Sequence, residues 1–239
     1  MFDPLPNTRS SVELCADALR AAILDGRLAP GDKLPPERAL AADFGVNRLT
    51  LRAALAKLST QGLVAARQGS GYRVLDYRRT GGPGLIAGLA KGDDGVLRHV
   101  ARDLLRVRRH LAHALLEHLQ TSTASLDLGP TAAAVDAFAA GVERGASPAD
   151  LALLDLDVIA ALVDAADSAV FALCLNPLTQ ALHGLPELRD AVYRDPGANV
   201  MGYQALLAWL SSGATGDTAP IMALLRGRDQ DTLEHLEAP

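Results

Sequence analysis

GDKLPPERALAADFGVNRLTLRAALAKLSTQGLVAARQGSGYRV, residues 31–74, decides the fold. Pro35 and Pro36 suit the start of a helix over Glu37–Phe44, because the proline's missing N–H would be unpaired there anyway. An early Glu37 also complements the helix dipole. Gly45 ends that helix and permits a sharp turn. Asn47 is a good N-cap for a third helix that runs to about Gln61 and stops at Gly62. In that helix Leu51, Ala54, Leu55 and Leu58 recur at spacings of 3, 1 and 3, an apolar stripe. Arg48 and Arg52 fall one turn apart on another face. Val64–Arg67 and Tyr72–Leu75 are short strand candidates flanking Gln68-Gly69-Ser70-Gly71, whose glycines accept positive φ. Two helices in a tight turn followed by a glycine-tipped hairpin make a winged helix-turn-helix.

Upstream, Ser10 or Ser11 can cap a first helix carrying Val12, Cys15, Ala16, Leu19, Ile23 and Leu24 at helical spacing, ended by Gly26. Leu28–Leu34 is a connector holding Pro30-Gly31. Downstream, Gly81, Gly82, Gly84, Gly88 and Gly92 crowd the stretch after Tyr77, which places a linker at 77–84. That gives a domain at 1–76 and a second at 85–239. From Val96 onward the pattern is helical, with helices expected near 96–120, 131–144, 148–166, 168–183, 186–194, 198–212 and 217–236. Breaks are expected at Gly129-Pro130, Pro148, Pro177, Pro186, Pro196-Gly197 and Gly213. The fold class is therefore mainly α: a winged helix-turn-helix of three helices and a β-hairpin, then an all-helical bundle.

A chain of 239 residues can bury two cores. Apolar residues make up 49% of it and aromatics only 4%, which points to aliphatic helix-on-helix packing and disfavours an all-β fold. The net charge of -5 divides unevenly. Arg38–Arg79 holds eight Lys or Arg against two acids, a balance of +6, while the chain beyond residue 80 has eleven basic and twenty acidic side chains, a balance of -9. The first stretch can track phosphates and the second stays off a duplex. Cys15 and Cys174 lack CxxC spacing and are expected as buried apolar groups in a reduced, cytoplasmic setting. The N-terminal residues carry no basic flank followed by an apolar run, and no run of eighteen apolar residues occurs, so neither export nor a membrane partner is expected.

Base discrimination in the major groove needs long side chains that donate two hydrogen bonds to one base edge, most often Arg to guanine. Arg48 and Arg52 suit that task. Thr50 and the free amides of the third helix's N-terminus could meet phosphates. Arg38 would approach the backbone from the side, and the Gln68-Gly69 tip could enter the minor groove. The alternative for each arginine is a surface ion pair, such as Arg38 with Asp43. The arrangement resembles the GntR family of bacterial transcription regulators, and the resemblance implies DNA contacts from Arg38, Asn47, Arg48, Leu49, Thr50, Arg52, Gln68 and Gly69. Leu49 departs from the family, which commonly has a short hydroxyl residue there. A leucine cannot bond a phosphate, so it either touches a thymine methyl or is simply an exposed apolar side chain.

GntR-type modules carry several kinds of partner domain. An aminotransferase-like one would need about twice this length and a Schiff-base lysine, whereas the only lysine beyond Lys57 is Lys91. A mixed α/β sensing domain would need strands that the second half lacks. The segments DLLRVRRHLAHALLEHL and LLDLDVIAALVDAADSAVFALCLNPL resemble the helical C-terminal domain of the FadR-type branch. Many members of that branch bind a divalent metal through an Asp, a His four residues later and two further histidines. Here Asp155 is followed at that spacing by Ile159, and His183 and His235 do not align with the missing pair, so neither metal nor cofactor is expected. His110, His113 and Glu117 share one helix face as an alternative ligand set, or as ordinary polar positions on a bundle helix. Arg108 corresponds to a family position facing the ligand cavity, where it could pair with a carboxylate, a phosphate or a thioester-bearing ligand. Arg108 and Asp155 are the candidate effector contacts. The alternative for Arg108 is an ion pair with Asp155 or Asp157.

The expectation is a cytoplasmic, non-enzymatic, homodimeric regulator that binds double-stranded DNA at a palindromic operator. A small acidic or acyl-CoA-like effector in the bundle would set its affinity. The rival readings are a structural bundle that binds no ligand, and a bundle with an unrecognised enzymatic role.

Overall fold

The computed structural model describes residues 10–90, 94–121 and 126–237. Lys91 and the residues before Ser10 lie outside them, so the expectations resting on those positions do as well. The chain divides into two compact units, 1–89 and 90–239.

In the first unit, α1 spans Ser11–Leu24, with the Ser10 side chain accepting the Glu13 N–H at 3.3 Å. Helices α2 (Glu37–Asp43) and α3 (Arg48–Thr60) follow, and Asn47 caps α3 by accepting the Thr50 N–H at 2.8 Å. The antiparallel wing pairs β1 (Val64–Arg67) with β2 (Gly71–Val74), setting Val64 opposite Val74 and Arg67 opposite Gly71. The connector before α2 is more ordered than its composition suggests. Gly31 N–H donates to Val74 O and Leu34 N–H to Tyr72 O, both at 2.9 Å, so residues 31–34 lie along the free edge of β2 and satisfy its backbone. Leu19, Ile23, Leu40, Leu55, Leu63 and Val74 meet in the core.

The stretch 77–84, expected as a linker, instead belongs to this unit. Asp76 caps a short α4 (Tyr77–Thr80), a 3-10 turn covers Pro83–Leu85, and α5 (Ile86–Leu89) packs on α1. Leu85 is the anchor, buried among the core leucines. Two of the glycines here, Gly81 and Gly88, mark close approach, since a Cβ would lie 2.6 Å from the Tyr77 carbonyl oxygen and 2.8 Å from Leu24 Cδ1, whereas Gly82 and Gly84 have open space around them. Gly62, which ends α3 with φ +73°, shows the same feature from the other side: a Cβ there would lie 2.1 Å from the Thr80 carbonyl oxygen. Thr80 Oγ1 in turn donates to Gly62 O at 2.7 Å.

The second unit is a bundle of α6 (Asp94–Thr121), α7 (Gly129–Glu143), α8 (Pro148–Ala165), α9 (Ala169–His183), α10 (Pro186–Val192), α11 (Pro196–Ser211) and α12 (Ala219–Glu237). Prolines in the first turn open α7, α8, α10 and α11, and Ser147 and Ser168 cap α8 and α9. Helices α7, α8 and α9 pack in succession, α6 lies against α9 and α12, and α11 against α7 and α12. Aliphatic side chains such as Leu115, Leu119, Leu162, Leu175 and Leu210 fill the core. Among the aromatics, Phe138 stands edge-on to Tyr203.

Two expectations fail in α9. Pro177 does not break the helix, which runs through it to His183. The carbonyl that a helical N–H at 177 would have bonded belongs to Leu173, which is exposed, so water can take that bond. Cys174 is exposed rather than buried, because it shares the outward face of α9 with Val170 and Leu173; Cys15 is buried as expected.

Candidate functional site

The first candidate surface is the N-terminal half of α3. Leu51, Ala54, Leu55 and Leu58 are 0–1% exposed, which fixes the rotation of the helix and turns Arg48, Leu49 and Arg52 outward. Asn47 holds one of the four amides that a helix N-terminus leaves unpaired. Arg38 on α2 and Gln68 and Gly69 at the wing tip are exposed as well, and Thr50 is half-buried. The structure therefore presents these eight positions on α2, on α3 and at the wing tip of one small domain. Among the described residues no ion pair joins Arg38 to Asp43. The pair that does form links Arg52 Nε to Glu37 Oε2 at 2.7 Å, tying α3 to the start of α2. Because it uses Nε, both terminal nitrogens of Arg52 remain outside that bond. Leu49 is 79% exposed, so it has no part in the core.

The second candidate site is a cavity of about 150 Å³ inside the bundle. Its walls are mainly aliphatic, from Leu115, Ile159, Leu175, Leu206 and Ile221, and its polar lining includes Arg108, Asp155, Tyr203, Arg228 and Asp229. Arg108 and Asp155 thus share one chamber. They are not ion-paired with each other, and Asp157 is exposed. Arg108 Nη2 instead bonds Asp229 Oδ1 at 3.2 Å, while Arg109 bonds Asp229 Oδ2. Burial works against the Arg108 charge, but the Asp229 carboxylate, and Asp155 beyond it, outweigh burial and hold the guanidinium protonated. Removing one member of such a buried pair typically costs about 3–5 kcal/mol.

Asp155 is buried and well supplied with donors. The Tyr203 hydroxyl donates to Oδ1, and His183 Nε2 lies 3.3 Å from Oδ2. Tyr193 closes the cluster, its hydroxyl 2.9 Å from His183 Nε2. Burial alone would raise the Asp155 carboxyl, but His183, the Tyr203 hydroxyl and the Arg108 charge bring it below the usual carboxylate value. Burial and the Asp155 charge push both phenols well up, so Tyr193 and Tyr203 stay protonated.

Sequence reasoning set His183 aside and did not name Asp229. The short turn between α8 and α9 carried a usable signal for the first, since two antiparallel helices joined by three residues bring Asp155 opposite the end of α9. Asp229 is 121 residues from Arg108 and left no local trace. The set His110, His113 and Glu117 does not converge on a metal. His113 Nε2 is 3.2 Å from Thr218 Oγ1, and the two histidines open with Arg109, Arg226 and Asp217 onto a separate hollow of about 290 Å³. Among the described residues no group of three or more His, Cys, Asp or Glu is placed to hold a metal ion. No described helix is long and apolar enough to cross a membrane.

Residues 13–74 match the profile of the bacterial regulatory proteins of the gntR family. A helix-turn-helix transcriptional regulator of Mycobacterium tuberculosis is 42% identical over 91 residues, which cover 38% of this chain and 37% of that protein. The chain thus aligns with well under half of that relative's length. A fatty acid metabolism regulator protein of an Enterobacter species is 29% identical over 220 residues, 90% of this chain and 86% of the relative. Among solved structures, that of Lar, which controls expression of the Listeria monocytogenes agr system, shares the fold with a TM-score of 0.65. It is 15% identical and covers 97% of this chain and 99% of its own. The two sequence relatives are named as regulators, not as enzymes. Residues 13–74 are thus similar to the helix-turn-helix domain of the gntR family of bacterial regulatory proteins.

Proposed function

We propose that the chain is a homodimeric, ligand-responsive regulator that lays two copies of α3 into successive major grooves of a palindromic operator. In this reading Arg48 and Arg52 contact base edges, and Arg38, Asn47 and Thr50 contact the backbone. Leu49 meets a thymine methyl, and Gln68 with Gly69 enters the minor groove. A small acidic or acyl-CoA-like effector occupies the Arg108 chamber and changes operator affinity by linkage. The observation that carries the reading is the α3 surface, with two arginines and a leucine exposed on a helix whose other side is sealed in the core.

The dimer draws support from α9, where Val170 and Leu173 are 71% and 76% exposed and lie beside Cys174 on one helix face. Exposed apolar faces of this kind mark association surfaces. The chamber supports the effector, since a bundle serving only as a strut would be packed solid. Selection of duplexes from a random pool, followed by gel-shift titration with carboxylates and acyl-CoAs, tests the proposal. A recovered palindrome whose binding responds to one ligand class is the expected result. Failure to enrich any sequence would overturn the DNA-reading part, and indifference to every ligand would overturn the effector part.

A further inference from the structure

We propose that Arg228, together with Arg108, forms a metal-free two-arginine clamp for a small monocarboxylate with a short apolar body. This rests on the effector reading above and narrows it. Most hydrogen-bonding groups around the chamber already have partners. Asp155 takes bonds from Tyr203 and His183, and Asp229 has one arginine on each oxygen. Thr179 Oγ1 donates to Leu175 O, and Thr232 Oγ1 to Arg228 O. Asn199 Oδ1 accepts from Arg228. Two lining side chains keep a buried polar atom without a partner, and both are guanidinium Nε–H groups, those of Arg108 and Arg228. A guanidinium has only donors, so what completes these two must bring acceptors.

Charge points the same way. Arg108 and Arg228 line the chamber with two buried carboxylates, Asp155 and Asp229, and Asp229 is also neutralised from outside it by Arg109, which opens onto the separate hollow. Asp231 stands 3.6 Å from Arg228 Nη1 but is half-exposed, where water screens it. One buried positive charge is left for a monoanion. Arg228 is also held in place from behind: its Nη2 faces Val192 O and Asp195 O at 3.1 Å and Asn199 Oδ1 at 2.7 Å, all at the junction of α10 and α11. A donor fixed in this way loses little freedom on binding.

Size settles the rest. A chamber of about 150 Å³ matches the volume known to hold a benzene-sized guest and is smaller than the pockets that hold larger ligands. It accepts a carboxylate with roughly six carbons. A long acyl chain or a coenzyme A nucleotide exceeds it.

The test is calorimetric titration of the full-length protein, without DNA, using hexanoate, benzoate, hexanol and palmitoyl-CoA. The clamp predicts saturable binding of hexanoate or benzoate, and none of hexanol or palmitoyl-CoA. Arg228→Lys keeps the cation but removes the Nε–H and the planar fork, so it should weaken the carboxylate by about tenfold or more, as losing a charge-assisted hydrogen bond does. Hexanol binding as well as hexanoate, no binding of either acid, or an Arg228→Lys protein with wild-type affinity would each overturn the clamp. If the variant does not fold, the comparison of hexanoate with hexanol on the wild-type protein decides alone. Operator binding measured on the same preparation separates the outcomes: intact DNA binding without carboxylate binding sinks the clamp and leaves the DNA-reading function standing.

Discussion

Glu37 grips Arg52 through Nε, which leaves the terminal nitrogens of the guanidinium outside that bond, as the proposed base contact requires. The bond is exposed, so its weight lies in aiming the side chain rather than in stability. Glu37→Gln should therefore leave thermal stability nearly unchanged while blunting discrimination at the base that Arg52 is proposed to read, measured by titrating the operator against single-mismatch duplexes. Leu49, at 79% exposure, can be replaced by serine with a stability change within about 0.5 kcal/mol. Asp155 makes a prediction about pH. Its folded pKa lies below the unfolded value, so its stabilising contribution is complete above the unfolded value of about 4 and is lost as pH falls through the folded one. Asp155→Asn should be less stable near neutrality and show a shallower acid limb in thermal unfolding followed from about pH 7 to about pH 3. Parallel limbs in the two proteins would remove Asp155 from the balance.

At the scale of elements, Gly62 is the joint that lets the wing leave α3. With φ +73° and the Thr80 carbonyl where a Cβ would sit, Gly62→Ala must shift backbone as well as adopt a disfavoured conformation. A loss of about 2 kcal/mol or more in denaturant unfolding is expected. The longer helices were legible in the sequence because each has its own local signals, whereas the short α4 and α5 were not. Asn47 and Ser147 cap, Pro148 and Pro186 open first turns, and the 3-1-3 spacing in α3 gives its buried face. What was not legible depends on distant partners. Leu85 reads as the start of the second domain until the core that receives it is known, and Pro177 reads as a break until Leu173 proves to face water. The same division holds in the sites. The exposure of Arg48 and Arg52 follows from helix period alone, whereas the Arg108–Asp229 and Asp155–His183 pairs join helices far apart in sequence.

For the whole molecule, the proposed dimer converts one weak half-site contact into bivalent binding. Leu173→Glu places a charge in the exposed face of α9 without touching the core, so each bundle should stay folded while the assembly falls to monomers in analytical ultracentrifugation. Operator affinity should fall with it, and affinity for an isolated half-site should not. An unchanged sedimentation profile would place the dimer interface elsewhere.

The claim that α3 reads DNA through Arg48 and Arg52 is tested most directly by gel-shift titration of the wild-type, Arg48→Ala and Arg52→Ala proteins on the selected operator and on its single-base variants. Each substitution should cost about 1–3 kcal/mol on the preferred site and relax the preference at one position in each half-site, while Arg38→Ala weakens all sequences alike. Wild-type affinity and specificity in both α3 variants would contradict the account.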